Sequence, residues 1–150
     1  MEHRFEKMDS FKVAGLDVDC THEDISAIEP LWDKFNGRLK DVRDCQGVYG
    51  VCFDQPGGFK YVAGAMIGPP QGTPDGLRIW DVPAAKYVVY DFCGKPEEMS
   101  KMFHEIFTTH LKAAGLCFRE NCAVLERYPE DCIDEATGKL KAELLVPVKE

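Results

Sequence analysis

A glutamate stands among apolar residues in the segment CAVLERYPED, residues 122–131. If this segment is a β-strand, alternate side chains share a face, and Glu126 then lies between Val124 and Tyr128. A carboxylate that is buried on such a face has its pKa raised by the loss of hydration. It can then pair with a cation or transfer a proton, so Glu126 is the first candidate for chemistry in this chain.

Aromatic side chains on neighbouring predicted strands could surround this carboxylate. Tyr128 follows on the same strand, Tyr49 and Tyr61 lie on the two arms of a predicted hairpin, and Trp80 lies on a later extended segment. The faces of such rings attract cations. Together these four rings and Glu126 would make the walls and the charge partner of a site for a hydrophobic cation. From the pattern alone, Glu126 could instead be an exposed carboxylate at a strand edge or pair with a neighbouring Lys or Arg. Core packing is the alternative role for each ring.

Three more aromatic side chains belong to the candidate ligand contacts: Trp32, Phe35 and Phe103. They lie on the apolar stripes of two predicted helices, where packing against a sheet is the usual role. A helix that flanks a cleft can nevertheless present such rings to a ligand.

The elements that must position these residues occur in a repeated order. Strand, helix, strand, strand is predicted over about 10–68 and again over about 77–148, and the Pro- and Gly-rich connector PPQGTPDG occupies 69–76. Two similar modules pack around a pseudo-twofold axis, where a cleft is a natural ligand site. We predict an α+β fold in which two pseudo-symmetric modules form a concave antiparallel sheet, with two main helices on one face.

Composition limits the classes of function. A length of 150 residues predicts one domain over 1–150, and a net charge of -8 without a basic cluster argues against direct nucleic-acid binding. The sequence contains no apolar run long enough for a membrane span. Its seven cysteines lack zinc-ligand spacing, so we expect no metal, and we expect no cofactor either. Because their number is odd and the sequence shows no export signal, we expect reduced thiols and a cytoplasmic location.

Three local patterns together resemble the GyrI-like small-molecule-binding domain, which is also the effector-binding domain of AraC-type and MerR-type transcription regulators. They are VPAAKYVVYDFCGKPEEM at 82–99, VLERYPED at 124–131 and KAELLVPVK at 141–149. The resemblance extends from about Phe11 to the end of the chain. It implies helices on the outer face of a concave sheet and an aromatic cleft that holds a glutamate. By position in the motif, that glutamate is Glu126.

The resemblance leaves three functions open. The first is binding of a small hydrophobic, cationic molecule, and the second is hydrolysis of strained cyclopropane-type molecules with Glu126 as the catalytic acid or base. The third is interaction with a protein partner such as DNA gyrase. Regulators of these types also carry a helix-turn-helix segment, which we do not find here, so we expect an effector domain standing alone.

Overall fold

An antiparallel sheet with helices on one face makes up the fold. The computed structural model describes residues 2–42, 45–68 and 76–150, and across them the sheet has eight strands. The strands are β1 (Arg4–Met8), β2 (Phe11–Cys20), β3 (Cys45–Gln55), β4 (Gly58–Ile67), β5 (Arg78–Val82), β6 (Ala85–Gly94), β7 (Val124–Tyr128) and β8 (Leu140–Val148). The helices are α1 (Ile28–Asn36), with a 3-10 turn at Leu39–Asp41, and α2 (Pro96–Glu105), which continues through a π turn (Ile106–His110) into α3 (Leu111–Ala113).

The strand order confirms the predicted α+β fold of two pseudo-symmetric modules. The order across the sheet is β1-β6-β8-β7-β3-β4-β2-β5. Strands β7 and β3 meet at the centre. From there the strands of module one follow in the order β3, β4, β2 and those of module two in the order β7, β8, β6, so the two halves have the same arrangement. Residues 69–75 of the predicted connector lie outside the described part of the chain.

A short strand precedes the strand-helix-strand-strand unit of each module, and this leading strand pairs with the other module. Strand β1 precedes β2 in the chain but pairs with β6, and β5 precedes β6 but pairs with β2. Only residues 9–10 join β1 to β2, and only residues 83–84 join β5 to β6. Each link has three Cα–Cα steps and spans at most about 10 Å, so β1 ends near β2 and β5 ends near β6. Because β1 and β5 are the two edge strands, these links hold the edges of the sheet close together. The sheet therefore curls into a half-barrel.

The inner face of the half-barrel, which carries no helix, contains an apolar core drawn from strands of both modules. Its buried members are Phe11, Val13, Tyr49, Val51, Val62, Val82, Ala85, Tyr87, Val89, Ala123, Leu125 and Leu145. The curl allows residues of strands that are distant in the sheet to meet across this face.

The outer face carries the helices, one on each module. Helix α1 packs through Leu31 and Phe35 against β2 and β4, because apolar residues recur at helical spacing along it. The second helix buries Met99, Ile106 and Leu111 against β6 and β8 in the same way. The join between the modules, where β7 pairs with β3, lies between these two helix-covered regions.

Arg127 ties the curled sheet together on the inner face. Its guanidinium donates to both carboxylate oxygens of Glu6 on β1, at 2.7 and 3.1 Å, and to Glu143 on β8 at 2.7 Å. The side chain of Arg127 is 22% exposed, so these charged hydrogen bonds are partly shielded from water. The hydrogen bond from Arg127 lowers the pKa of the Glu6 carboxyl.

We expect Arg127→Ala to lower the free energy of unfolding by about 2 kcal/mol, because it leaves the partly buried Glu6 without its donor and leaves Glu143 paired with Arg4 alone. Lys12→Ala is the matched control, since it removes an exposed ion pair with Asp81 and should cost less than about 1 kcal/mol. Urea denaturation of both variants measures the difference. Equal losses would show that Arg127 does not hold β1 against the sheet.

Candidate functional site

Glu126 is buried at the join of the two modules. It lies on β7, directly opposite Gly50 of β3 on one side and Leu144 of β8 on the other, and its side chain faces the outer, helical face of the sheet. Only 8% of the residue is exposed, and among the described residues it is the one charged residue that is buried. The predicted burial of a carboxylate on an apolar strand face is therefore observed.

Two tyrosine hydroxyls donate to one oxygen of this carboxylate. The hydroxyls of Tyr61 and Tyr128 each lie 2.6 Å from Glu126 Oε1. The Tyr61 hydroxyl also accepts a hydrogen bond from Trp32 Nε1 at 2.9 Å. An indole N–H can only donate, so the chain of hydrogen bonds runs in one direction, from Trp32 through Tyr61 to Glu126.

The second oxygen of the carboxylate, Oε2, differs from Oε1 in its hydrogen bonding. No described residue makes a hydrogen bond or ion pair with Glu126 Oε2. Because Oε1 already accepts two hydroxyl protons, a proton added to Glu126 is best placed on Oε2. A cation brought to the site would meet the same atom.

Burial controls the acidity of the whole cluster. Desolvation raises the pKa of the Glu126 carboxyl, and the two tyrosine hydroxyls offset part of that rise. Burial and the neighbouring carboxylate raise the pKa values of Tyr61 and Tyr128 well above the ordinary value of 10.0. Both phenols therefore remain protonated donors at neutral pH.

Aromatic rings enclose the carboxylate from the side of helix α1. The Trp32 ring is half-buried and meets the rings of Tyr128 and Tyr61 edge-on, with centroids 5.3 and 6.4 Å apart. Phe35 lies one helical turn further and packs edge-on against Trp32 at 6.0 Å. On the other side, the Tyr128 hydroxyl lies 3.8 Å from the sulfur of Met99 in α2. The cluster thus joins both helices to the centre of the sheet.

The structure brings together only some of the predicted site residues. Glu126, Tyr61, Tyr128 and Trp32 form one cluster, with Phe35 beside Trp32. Phe103 packs instead within module two, where its ring stacks on Phe107.

Tyr49 and Trp80 are on the wrong face to line a wall with Glu126. Tyr49 pairs with Arg127 and packs against Phe11 in the inner core, and Trp80 pairs with Val13 beside that core. The prediction made Tyr49 a wall around Glu126, but the register pairs Tyr49 with Arg127 and places Gly50 opposite Glu126. A shift of one residue moves a side chain to the other face of a sheet.

Three neighbours of the cluster were not predicted as site residues: Gly50, Cys52 and Met99. Burial raises the pKa of the Cys52 thiol well above its ordinary value, with a further contribution from Glu126. The sequence signal for Gly50 was its place inside a predicted strand, since glycine there often marks a close approach.

The described residues contain no group of three or more His, Cys, Asp or Glu side chains that could hold a metal ion. Among the helices of those residues, none has the length and apolar character needed to cross a membrane. A surface cavity of about 420 Å³ is lined by Phe53, Asp54, Asp81, Pro83, Phe118, Glu120, Asn121 and Cys122. It contains no residue of the Glu126 cluster.

We expect the stability of Glu126→Gln, measured relative to wild type, to increase as pH rises above 4.5, the ordinary pKa of a glutamate. The folded-state pKa of Glu126 is raised above 4.5, so the folded protein holds this proton more tightly than the unfolded chain and loses stability as pH rises through the raised value. The glutamine variant lacks that loss. Urea denaturation at a series of pH values measures the difference.

The control for this experiment is Glu130→Gln, which makes the same change of net charge at an exposed position just after β7. A pH trend of equal size in the two variants would contradict the assignment of the effect to the buried carboxyl.

Comparison with known proteins gives the family. Residues 4–148 match a family model described as integron-associated effector binding protein. The transcriptional regulator BrlR of Pseudomonas aeruginosa is 30% identical over an alignment of 120 residues, which covers 77% of this chain and 44% of BrlR. The chain therefore spans less than half the length of this curated relative.

Solved structures support the same fold at low sequence identity. The structure of SAV2435 bound to tetraphenylphosphonium is 17% identical with a TM-score of 0.79, over 99% of this chain and 94% of that one. The integron cassette protein VCH_CASS2 from the mobile metagenome of Vibrio cholerae is 20% identical with a TM-score of 0.70, over 98% and 95%. The resemblance to GyrI-like domains is confirmed, and the chain belongs to the family of integron-associated effector-binding proteins.

Proposed function

We propose that this protein binds a small hydrophobic cation at Glu126, with Tyr61, Tyr128 and Trp32 as the aromatic contacts. The observation that carries the proposal is the state of the carboxylate. It is buried, its Oε1 is held by two hydroxyl donors, and its Oε2 has no partner among the described residues.

The energetics of this carboxylate favour a cationic ligand. A buried carboxylate without a counter-ion is unfavourable in its charged form, and no described Lys or Arg pairs with Glu126. A ligand cation at Oε2 would supply the missing positive charge. A neutral ligand of the same shape would leave the carboxylate unpaired, at a cost of about 1 to 3 kcal/mol.

The rings around the carboxylate suit a cation whose charge is spread over apolar groups. Trp32, Tyr61 and Tyr128 present π systems within the same cluster as the carboxylate. Each good contact between a cation and a ring face contributes about 0.5 to 2 kcal/mol. Attraction to the rings and to the carboxylate would therefore act on one ligand together.

Entry of a ligand requires the cluster to open, because Glu126 is only 8% exposed. Helix α1 is the element best suited to move. It has nine residues, and Ala27, which precedes it, supplies no side-chain cap, so its packing and the hydrogen bond from Trp32 to Tyr61 hold it in place. A ligand that reaches Oε2 would displace the Trp32 ring and break its hydrogen bond to Tyr61.

The relatives support this choice of ligand class. The family is described as effector-binding, and SAV2435, which shares the fold, was solved with tetraphenylphosphonium, a hydrophobic cation. Tetraphenylphosphonium is accordingly the first probe, and tetraphenylborate, an anion of nearly the same shape, is its matched opposite.

We expect Glu126→Gln to weaken tetraphenylphosphonium binding by about tenfold or more, because the charge partner is lost. Tetraphenylborate should bind wild type more weakly than tetraphenylphosphonium, and this preference should shrink or reverse in the variant. Isothermal titration calorimetry measures both dissociation constants. Glu130→Gln controls for net charge and should behave as wild type. An equal loss for cation and anion in Glu126→Gln would remove the charge-pairing role.

We expect tetraphenylphosphonium to change the fluorescence of Trp32, because binding alters the packing of its ring and its hydrogen bond to Tyr61. Trp80→Phe should retain the signal, whereas Trp32→Phe should abolish it and weaken binding by about threefold. A ligand signal that survives in Trp32→Phe and disappears in Trp80→Phe would place the ligand on the other face of the sheet.

A further inference from the structure

We infer that Gly50 is the positioning residue that lets Glu126 and Tyr61 meet, and that it thereby sets the charge selectivity of the site. The geometric part of this inference concerns the protein alone. The part that concerns selectivity rests on the proposed function.

The two side chains that meet above Gly50 come from strands that are not neighbours. Glu126 lies on β7 and Tyr61 on β4, with β3 between them. Neighbouring strands lie about 4.8 Å apart, so the backbones of β7 and β4 are separated by about 10 Å. The register places Gly50 directly opposite Glu126 on one side and Ala63 on the other. Both long side chains therefore extend over β3 and form their 2.6 Å hydrogen bond above the glycine.

A side chain at position 50 would occupy the place of this hydrogen bond. A Cβ atom built on Gly50 would lie closer than 3.0 Å to the Tyr61 hydroxyl oxygen, and at 2.5 Å from Glu126 Oε1. Real Cβ atoms are essentially never found so close to another heavy atom. The two groups could not keep their present positions with any other residue at 50.

The backbone gives no separate reason for glycine at this position. Gly50 is absent from the described glycines with positive φ, which include Gly57 and Gly115. Those two have no atom within 4 Å of a built Cβ, so their conformation and not their surroundings favours glycine. In a strand, glycine is usually unfavourable. The reason for glycine at position 50 is therefore steric, because the missing side chain leaves the space that the Glu126 carboxylate and the Tyr61 hydroxyl occupy.

Loss of this space would affect the ligand through Glu126. If Tyr61 is displaced, Oε1 loses one of its two donors, and the hydroxyl also leaves the Trp32 N–H. A carboxylate with fewer donors is less favourable in its charged form, which is the form that attracts a cation. Gly50 would thus act on selectivity without touching the ligand.

Gly64 supplies a matched control for the strain that a new methyl group imposes. It lies on β4 of the same sheet, and a Cβ there would also be closer than 3.0 Å to neighbouring atoms, Val13 Cγ1 and the Ala14 carbonyl oxygen. Gly64 pairs with Tyr49, so its Cβ would face the inner core and not the Glu126 cluster. Gly64→Ala should destabilise the protein without altering the site.

The experiment compares wild type, Gly50→Ala and Gly64→Ala by two readouts. The first is the pair of dissociation constants for tetraphenylphosphonium and tetraphenylborate, and the second is the indole N–H resonance of Trp32 in the ligand-free protein. We expect Gly50→Ala to weaken tetraphenylphosphonium by about tenfold, to leave tetraphenylborate within about twofold, and to shift the Trp32 resonance. Gly64→Ala should leave all three close to wild type. The same values in both variants would overturn the inference.

A double-mutant cycle keeps the test decisive if Gly50→Ala is poorly stable. In Tyr61→Phe the hydroxyl nearest the new Cβ is gone, so Gly50→Ala should cost less stability there. We expect the factor by which Gly50→Ala raises the unfolding equilibrium constant to be about fivefold smaller in Tyr61→Phe than in wild type. Additive effects would overturn the inference. If wild type binds no tetraphenylphosphonium, the proposed function fails, while the Trp32 resonance and the cycle still decide the role of Gly50.

Discussion

The burial of one carboxylate under two tyrosine hydroxyls is the constraint around which the centre of this protein is arranged. Burying Glu126 without donors would cost several kcal/mol, so the hydroxyls of Tyr61 and Tyr128 must stay within hydrogen-bond distance of it. That requirement determines which side chains can occupy the join between the modules. It also fixes the position of helix α1, because Trp32 donates to the same network.

Strand β7 places opposite charges on opposite faces of the sheet. Glu126 points to the helices, while Arg127 points into the half-barrel and binds Glu6 and Glu143. Glu126 accepts hydrogen bonds from Tyr61 of β4 and from Tyr128 of its own strand, whereas Arg127 pairs with carboxylates on β1 and β8. A strand of five residues therefore couples the helical face to the curl of the sheet.

The sequence predicted those features that depend on pattern and missed those that depend on register. Element order was enough for the two modules, and an acidic residue on an apolar strand was enough to identify Glu126. Tyr49 was assigned to the wrong face, because the sequence of the hairpin does not determine which residue of β3 lies opposite Glu126. Gly50 was missed for the same reason, since its role appears only when β7 and β4 lie on either side of it. Hydrolysis, a protein partner, the absence of cofactors and a cytoplasmic location stay predictions.

The exchange of leading strands governs how a newly synthesised chain can reach this fold. Arg4 pairs with Val89, so β1 has no sheet to join until more than half of the chain has left the ribosome. Strand β8 fills the place between β6 and β7 only after Leu140–Val148 has been synthesised. Pairings of such long sequence separation make folding slow and leave strand edges open in the meantime. Neither module therefore has all of its strands paired until strands of the other have been synthesised.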